Sequence, residues 1–424
     1  MGILLPIGHA PFLISARSRS TTVSTNETRA ICCIAGSLSR RCVITISSDE
    51  FEQQSRVRAK PRGRQVTVSA TSEPTTVVVA APLVDAHVHP DKSSWGGPWL
   101  SRKPAATLRD FIEHDVRTQA AYTRSVEERA LALFRTAVAN GTRAVRAQVD
   151  VGPAQGIANV HGVRAASERL GGLLDVQVAA FPQQGLLTAP GTLDLLDQAL
   201  REGADLVGGI DPAGLEGDLD GHLDAVFGLA ARRGVDVDIH LHDGGELGLD
   251  ETRRIAARAV AEGMQGRVTI SHAFAVAEAS GDALASIADT LADAGVWLTT
   301  CALGGDPVLP VAFLRERGVG VAVGSDGVRD SWTPFGTGSM LDRAHLLAYR
   351  TDAMTDADLE LAFDLCSRAG AELLGLPTAP VDAGSPDRLE FDGACLAQVV
   401  VDRPAPARVI RDGRVIARNG ELTD

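Results

Sequence analysis

The sequence predicts an α/β protein: a (β/α)8 TIM barrel carrying a small β-sandwich appendage. Three observations predict it. From Pro82 onward, short apolar runs rich in β-branched residues alternate with Ala-, Leu-, Arg- and Glu-rich stretches. Such alternation implies parallel strands joined by crossover helices. Eight of these runs fall between Leu83 and Asp326, the strand count of a closed barrel of about 250 residues. Near Leu373 the texture changes to shorter runs around turn residues, which predicts the appendage. A doubly wound sheet is the alternative, but no G-x-G-x-x-G follows the first run.

Taken in order, the apolar runs place strands at Leu83–His89, Arg143–Val151, Leu174–Gln183 and Ala204–Asp211. The remaining barrel strands are expected at Asp236–Asp243, Arg267–His272, Val296–Ala302 and Gly320–Asp326. Helical patterns lie between them at Val126–Asn140, Leu193–Glu202, Leu223–Arg233, Glu251–Glu262 and Leu284–Ala294. Beyond the barrel, Gln398–Asp402, Ala407–Ile410 and Val415–Arg418 read as short strands around an Arg411-Asp412-Gly413 turn. Residues 65–81 alternate enough to add a strand or two to them. The expected organisation is a tail over 1–64, sandwich strands within 65–81, the barrel over 82–372 and the appendage over 373–424.

Composition narrows the class. Hydrophobic residues make up 45% and charged residues 22% of the 424, the balance of a globular protein with a large core. The net charge is −13, yet the first 80 residues hold ten basic against five acidic side chains. The acidic excess therefore lies wholly in the body, which argues against nucleic acid or an anionic membrane as partner. The Ser- and Arg-rich head is expected to have no fold of its own, with a transit-like segment or an upstream start as alternatives. Six cysteines without a C-x-x-C pair predict neither a zinc knuckle nor a disulfide framework. No apolar run approaches the roughly 20 residues of a membrane span. A cytoplasmic protein acting on a small molecule is expected, and a homo-oligomer is compatible with this.

Several of the ten histidines fall at the C-terminal ends of the expected strands. His87 and His89 end the first, His240 and His242 the fifth, and His272 the sixth; Asp326 ends the eighth. In a barrel these ends meet at one face, where active sites sit. Residues two apart on a strand point the same way, so His87 and His89 can reach one ion together. Imidazole and carboxylate suit zinc and iron. An H-x-H pair alone is a weak signal, and a Ser-Asp-Gly turn is usually only a turn. The joint placement of ligand types at four strand ends carries the expectation.

These segments resemble the cytosine deaminase-like branch of the amidohydrolase superfamily. The resemblance is carried by LVDAHVHPDKS (83–93), VRAQVDV (145–151), AAFPQQG (179–185), DIHLHD (238–243), EGMQGRVTISHAF (262–274) and GSDGVRDSWTPFGTGSML (324–341). The late VIRDGRVIA (409–417) is similar to the family's returning sandwich strands. The resemblance implies that His87, His89, His240 and Asp326 hold one divalent metal, zinc or iron. It implies that His272 touches the activated water or the substrate, and that Gln183 bonds a ring carbonyl. Many relatives bridge two metals through a carboxylated mid-barrel lysine. Here the only lysines are Lys60, Lys92 and Lys103, all before the second strand, which leaves one metal.

Two departures stand out. The branch usually carries a Glu three residues after the fifth-strand histidine, as proton shuttle, and here that residue is Asp243. It often has a second Asp after the metal Asp, and here that residue is Gly327. Cytosine itself is therefore not the expected substrate. Asp243, with Asp326 and His272, is the expected catalytic group. Trp332 is the expected flat wall for a heterocycle, with Trp95 and Trp99 as further candidates. Lys92 is expected to hold the first loop. His242 is left without a role, at the pocket rim or outside the barrel.

The expected activity is hydrolysis of a carbon–nitrogen bond of a small aminated heterocycle, releasing ammonia. The alternative is an amidase removing an N-acyl or N-alkyl group, and a decayed, non-catalytic barrel is the third reading. The head supplies no expected ligand, so a truncation starting near Arg64 is expected to keep activity.

Overall fold

The computed structural model describes residues 76–423. The tail expected over 1–64, and residues 65–75 of the expected sandwich strands, lie outside the described residues.

The chain enters through β1 (Val77–Ala80) and runs directly into the barrel. The barrel strands are β2 (Leu83–Val88), β3 (Thr142–Asp150), β4 (Asp175–Phe181), β5 (Leu206–Ile210), β6 (Asp236–His240), β7 (Val268–Ser271), β8 (Trp297–Thr300) and β9 (Gly320–Val323). They form one sheet in sequence order, every neighbouring pair parallel. The ring closes just past β9, where Asp326 N donates to His87 O (2.8 Å) and His89 N donates to Asp326 O (3.2 Å). Asp85 on β2 pins the same seam by accepting from Ser325 N (2.9 Å) and from Ser325 Oγ. Every expected barrel strand is present.

The strands stop earlier than the apolar runs suggest. Gln183 lies beyond Pro182, which has no N–H for the ladder. His272 (φ 70°) and Asp326 (φ 58°) are left-handed, a conformation that leaves the sheet and is uncommon outside glycine. The functional candidates therefore sit on the first residues of the loops as well as on strand ends.

The helices between the strands begin on local signals. Val126–Ala139 starts on a Ser125–Glu128 capping box and Leu108–Ala120 on a Thr107–Asp110 one, each satisfying free backbone donors. Leu219–Arg233 ends on Gly234 at φ 69°, the left-handed stop that glycine supplies without strain. Among the described residues no helix is long and apolar enough to cross a membrane.

The appendage is a five-stranded antiparallel sheet in the order β1, β10 (Arg388–Asp392), β11 (Arg408–Arg411), β12 (Arg414–Arg418) and β13 (Glu421–Leu422). The expected strand at Gln398–Asp402 is corrected: it lies in the helix Leu396–Asp402. There Val399 and Val400 are buried and Gln398 Nε2 donates to Asp402 one turn on (2.9 Å). Packing overrides the β preference of the valine run. β10, which pairs with both β1 and β11, was not foreseen. The appendage grips the barrel where Leu389 covers Gly141, whose φ of 94° and missing Cβ admit the leucine. Arg411 Nη2 also meets Asp175 at 3.1 Å.

The middle of the barrel is polar. Arg146, 2% exposed, donates to Asp238 (3.0 Å), Thr269 (2.9 Å), Gln177 (2.8 Å) and the carbonyl of Leu373 (3.3 Å). Removing one partner of such a pair leaves an uncompensated buried charge. Arg146→Met is therefore expected to cost about 3–5 kcal/mol of stability, read from urea denaturation of the variant against the native protein.

Candidate active site

His87, inside the barrel on β2, is fixed by Nδ1 against Ser271 Oγ at 2.9 Å. Ser271 in turn donates to Asp238 (2.6 Å) and accepts from Thr299 (2.8 Å). This leaves His87 Nε2 on the Asp326 side of the ring, buried and with no hydrogen-bond partner. His89 Nε2 lies 3.2 Å from Asp326 Oδ1 and 3.4 Å from His240 Nε2. His87 Nε2 is 3.7 Å from the same Asp326 oxygen. Ligand atoms of His87, His89 and His240 all fall within 4.8 Å of one another, as do those of His87, His272 and Asp326.

The electrostatics suit a cation. Burial, reinforced by the neighbouring histidines, drives His87 and His240 well below the ordinary histidine range. Burial and then Lys92 lower His89 as well. All three shifts favour the neutral ring, whose lone pair can bind a cation. Burial works to raise Asp326, but His89, His272 and His87 hold it well below the usual carboxylate range. Neutral imidazoles around an ionised carboxylate are the donor set of a zinc or iron site. An orphaned His87 Nε2 facing that carboxylate fits such an ion better than it fits a void.

The cluster opens into a cavity of about 320 Å³. His272, pushed down to about 3 by burial and by His242, lines it as a neutral ring. Lys92 is 1% exposed and holds two partners, Asp150 Oδ1 at 3.1 Å and Gln183 Oε1. Burial opposes its charge, but Asp150, Asp115 and Asp91 more than restore it. Its Nζ also stands 5.2 Å from the centre of the Phe181 ring and 5.5 Å from that of Trp332. Because Lys92 takes the Gln183 oxygen, Gln183 has its amide N–H2 to offer a ligand. Trp332 lines the cavity and stacks on Phe111 at 5.2 Å and 15°. Trp95 instead donates to Thr136 (2.9 Å) and Trp99 is 61% exposed; neither lines the cavity.

His242, left open between the pocket rim and the barrel exterior, lines the cavity, whereas Asp243 does not. On an extended chain, neighbours point to opposite sides. His240 and His242 face the cavity, so Asp243 turns outward. Its carboxylate accepts from Gly214 N (2.7 Å), and the nearby Glu251, which burial and the neighbouring acids push up to about 8, accepts from Ala213 N (2.8 Å). His242 stacks on His272 at 4.6 Å and 27°. Asp211 grips it twice, through the backbone N–H (2.6 Å) and through Nδ1 (2.8 Å). Burial would lower His242, but Asp211 raises it above the ordinary histidine value.

Sequence reasoning missed Asp211, Asp330 and Phe111. Asp211 was visible as the last residue of the expected fourth strand, and Asp330 lies in the GSDGVRDSW segment. Burial raises Asp330 to about 7. Phe111 carried no signal, because its place depends on where the helix Leu108–Ala120 comes to rest.

Comparison with known proteins gives the chain's family and fold. The model of the amidohydrolase family matches residues 101–380. The chain is 32% identical over 354 residues to N-isopropylammelide isopropyl amidohydrolase of Pseudomonas sp. (strain ADP), covering 81% of this chain and 86% of the relative. It is 26% identical over 361 residues to pterin deaminase of Rhizobium rhizogenes, covering 80% of each. In three dimensions it is similar to the crystal structure of N-isopropylammelide isopropylaminohydrolase from Burkholderia multivorans. The TM-score is 0.77 at 38% identity, covering 82% of this chain and 88% of that one.

Proposed function

The chain belongs to the amidohydrolase family, and we propose that it uses one divalent ion, held by His87, His89, His240 and Asp326, to hydrolyse a carbon–nitrogen bond of a small aminated oxo-heterocycle. That the protein is a hydrolase of carbon–nitrogen bonds follows from its relatives. The observation that carries the metal reading is the approach of His89 and His87 to one Asp326 oxygen, with His240 grouped beside both histidines and His87 Nε2 left without a hydrogen-bond partner. When bound, such an ion supplies Lewis-acid chemistry, bringing the pKa of water towards neutrality.

The chain's own residues do the rest. Gln183 donates through its amide to a ring carbonyl, with Lys92 fixing the amide's direction. Trp332, braced by Phe111, forms a flat wall beside the ring. Asp326 accepts the proton that water gives up as its oxygen bonds to the ring carbon. His242, held by Asp211 and stacked on His272, is within the cavity to pass a proton to the departing nitrogen. The C–N bond breaks and the nitrogen leaves as ammonia or an amine.

A second reading, in which the leaving nitrogen carries a small alkyl group, is favoured by the apolar side chains of Leu108, Phe111, Phe274 and Leu303 on the cavity wall. The two relatives that act on N-isopropylammelide support it. The experiment is a release assay on metal-replete protein offered ammelide, N-isopropylammelide, cytosine and pterin. Ammonia or isopropylamine should appear from at least one of the first two. Release of neither product from any of the four would remove this reading.

Second contacts to metal ligands are typically worth about 10–100-fold in metal affinity. Ser271→Ala frees His87 Nδ1 and is expected to weaken zinc binding by about that factor, measured by competition with a chromophoric chelator. An unchanged affinity would show that Ser271 does not orient the ligand.

A further inference from the structure

Gly327 follows Asp326 directly in the chain, and the structure shows what takes the room that a side chain there would need. A Cβ built on Gly327 would lie 2.4 Å from Asp330 Oδ2 and 2.9 Å from its Cγ and Oδ1. The Asp330 carboxyl is thus seated against the backbone directly after Asp326, and any side chain at 327 would displace it. Oδ1 accepts from the backbone N–H groups of Trp332 and Thr333, both at 2.8 Å, which sets the direction of the group. Oδ2 is buried and has no partner. Asp330 is 6% exposed and lines the cavity with Gln183 and Trp332. Trp332 Nε1 is also buried without a partner. Buried polar atoms are nearly always bonded, so two orphans on one cavity wall point to a ligand.

The three groups differ in sense. Asp330 Oδ2 can accept, whereas indole Nε1 and the Gln183 amide nitrogen can only donate. A wall of one acceptor beside donors complements an edge with N–H next to C=O.

We propose that Asp330 is a substrate-binding residue that accepts a hydrogen bond from a ring N–H, and that the ring presents a lactam edge whose carbonyl is taken by Trp332 Nε1 or Gln183 Nε2. This rests on the heterocycle reading above and narrows it to oxo-heterocycles. Gly327 and Asp330 act as a pair: the glycine leaves the space that the carboxyl fills.

The test is calorimetric titration of the full-length, zinc-loaded protein with isocyanuric acid and uracil, which carry the lactam edge, and with 2-aminopyrimidine, which does not. Asp330→Asn keeps an oxygen for the two backbone donors and turns Oδ2 into a donor. It should weaken isocyanuric acid and uracil at least about tenfold, as expected where a buried acceptor becomes a donor facing a ring N–H. Zinc content and 2-aminopyrimidine affinity should stay as in the native protein. Gly327→Ala, which unseats the carboxyl, should shift binding the same way. A purely structural Asp330 would leave the Asn variant binding the lactams as the native protein does, and that result overturns the proposal. So would native protein that binds neither lactam, or 2-aminopyrimidine binding that depends equally on Asp330. Failure of the underlying reading looks different: the native protein then releases neither ammonia nor an alkylamine from any heterocycle, whatever it binds.

Discussion

Asp326→Ala should reduce turnover to background and strip the protein of its ion. Asp326 is the one carboxylate among the proposed ligands, with its oxygen 3.2 Å from His89 Nε2 and 3.7 Å from His87 Nε2. Without it, three neutral imidazoles must hold the cation with no anion to offset its charge. The proton acceptor for water leaves in the same step. A positioned base alone contributes about 10²–10⁴-fold, and loss of the ion adds to that. The measurements are metal content by atomic emission and product release at saturating substrate. Dialysis against a chelator should match the variant, and added zinc or iron should restore the native protein alone. If Asp326→Ala kept more than about one hundredth of native turnover, below which loss of a base normally takes an enzyme, the proposed ligand set would be wrong. The residue's φ of 58° adds a structural reason to expect sensitivity. Strained backbone of this kind persists where surrounding structure holds it and clusters at functional sites.

His242→Asn should lower kcat by about 10²–10⁴-fold, the range for a general acid or base, while the protein keeps its metal. Asn at 242 keeps the backbone N–H to Asp211, but it cannot carry a proton. Asp243→Asn should leave kcat near the native value, because that carboxylate accepts from Gly214 N and does not line the cavity. The pair of variants decides between two neighbouring residues that the sequence alone ranks the other way. Steady-state kinetics on metal-replete protein, with metal content measured beside them, separates loss of chemistry from loss of the site. The reverse outcome, with Asp243→Asn crippled and His242→Asn active, would return the shuttle to Asp243. It would also mean that the loop after β6 rearranges when substrate enters.

Much of the site was legible because it is local. The two-residue spacing of His87 and His89, and of His240 and His242, places each pair on one side of a strand by covalent geometry. The barrel brings the strand ends to one face once the alternation of strands and helices is recognised. Other features depended on distant partners. Gln398–Asp402 has the composition of a strand, yet it is a helix because Val399 and Val400 are buried against the barrel's last helices. β10 became visible only through its pairing with β1 and β11.

By itself the sequence determined the barrel class and the kind of donor at each strand end. The tertiary structure decided where each strand stops, and hence which of His242 and Asp243 reaches the cavity. It also decided that Lys92 turns the Gln183 amide and that Asp330 fills the space left by Gly327. The division has one physical cause. Side-chain alternation and ligand chemistry are properties of a few consecutive residues, whereas the end of a strand and the direction of a buried polar group are set by whatever packs against them from elsewhere in the chain.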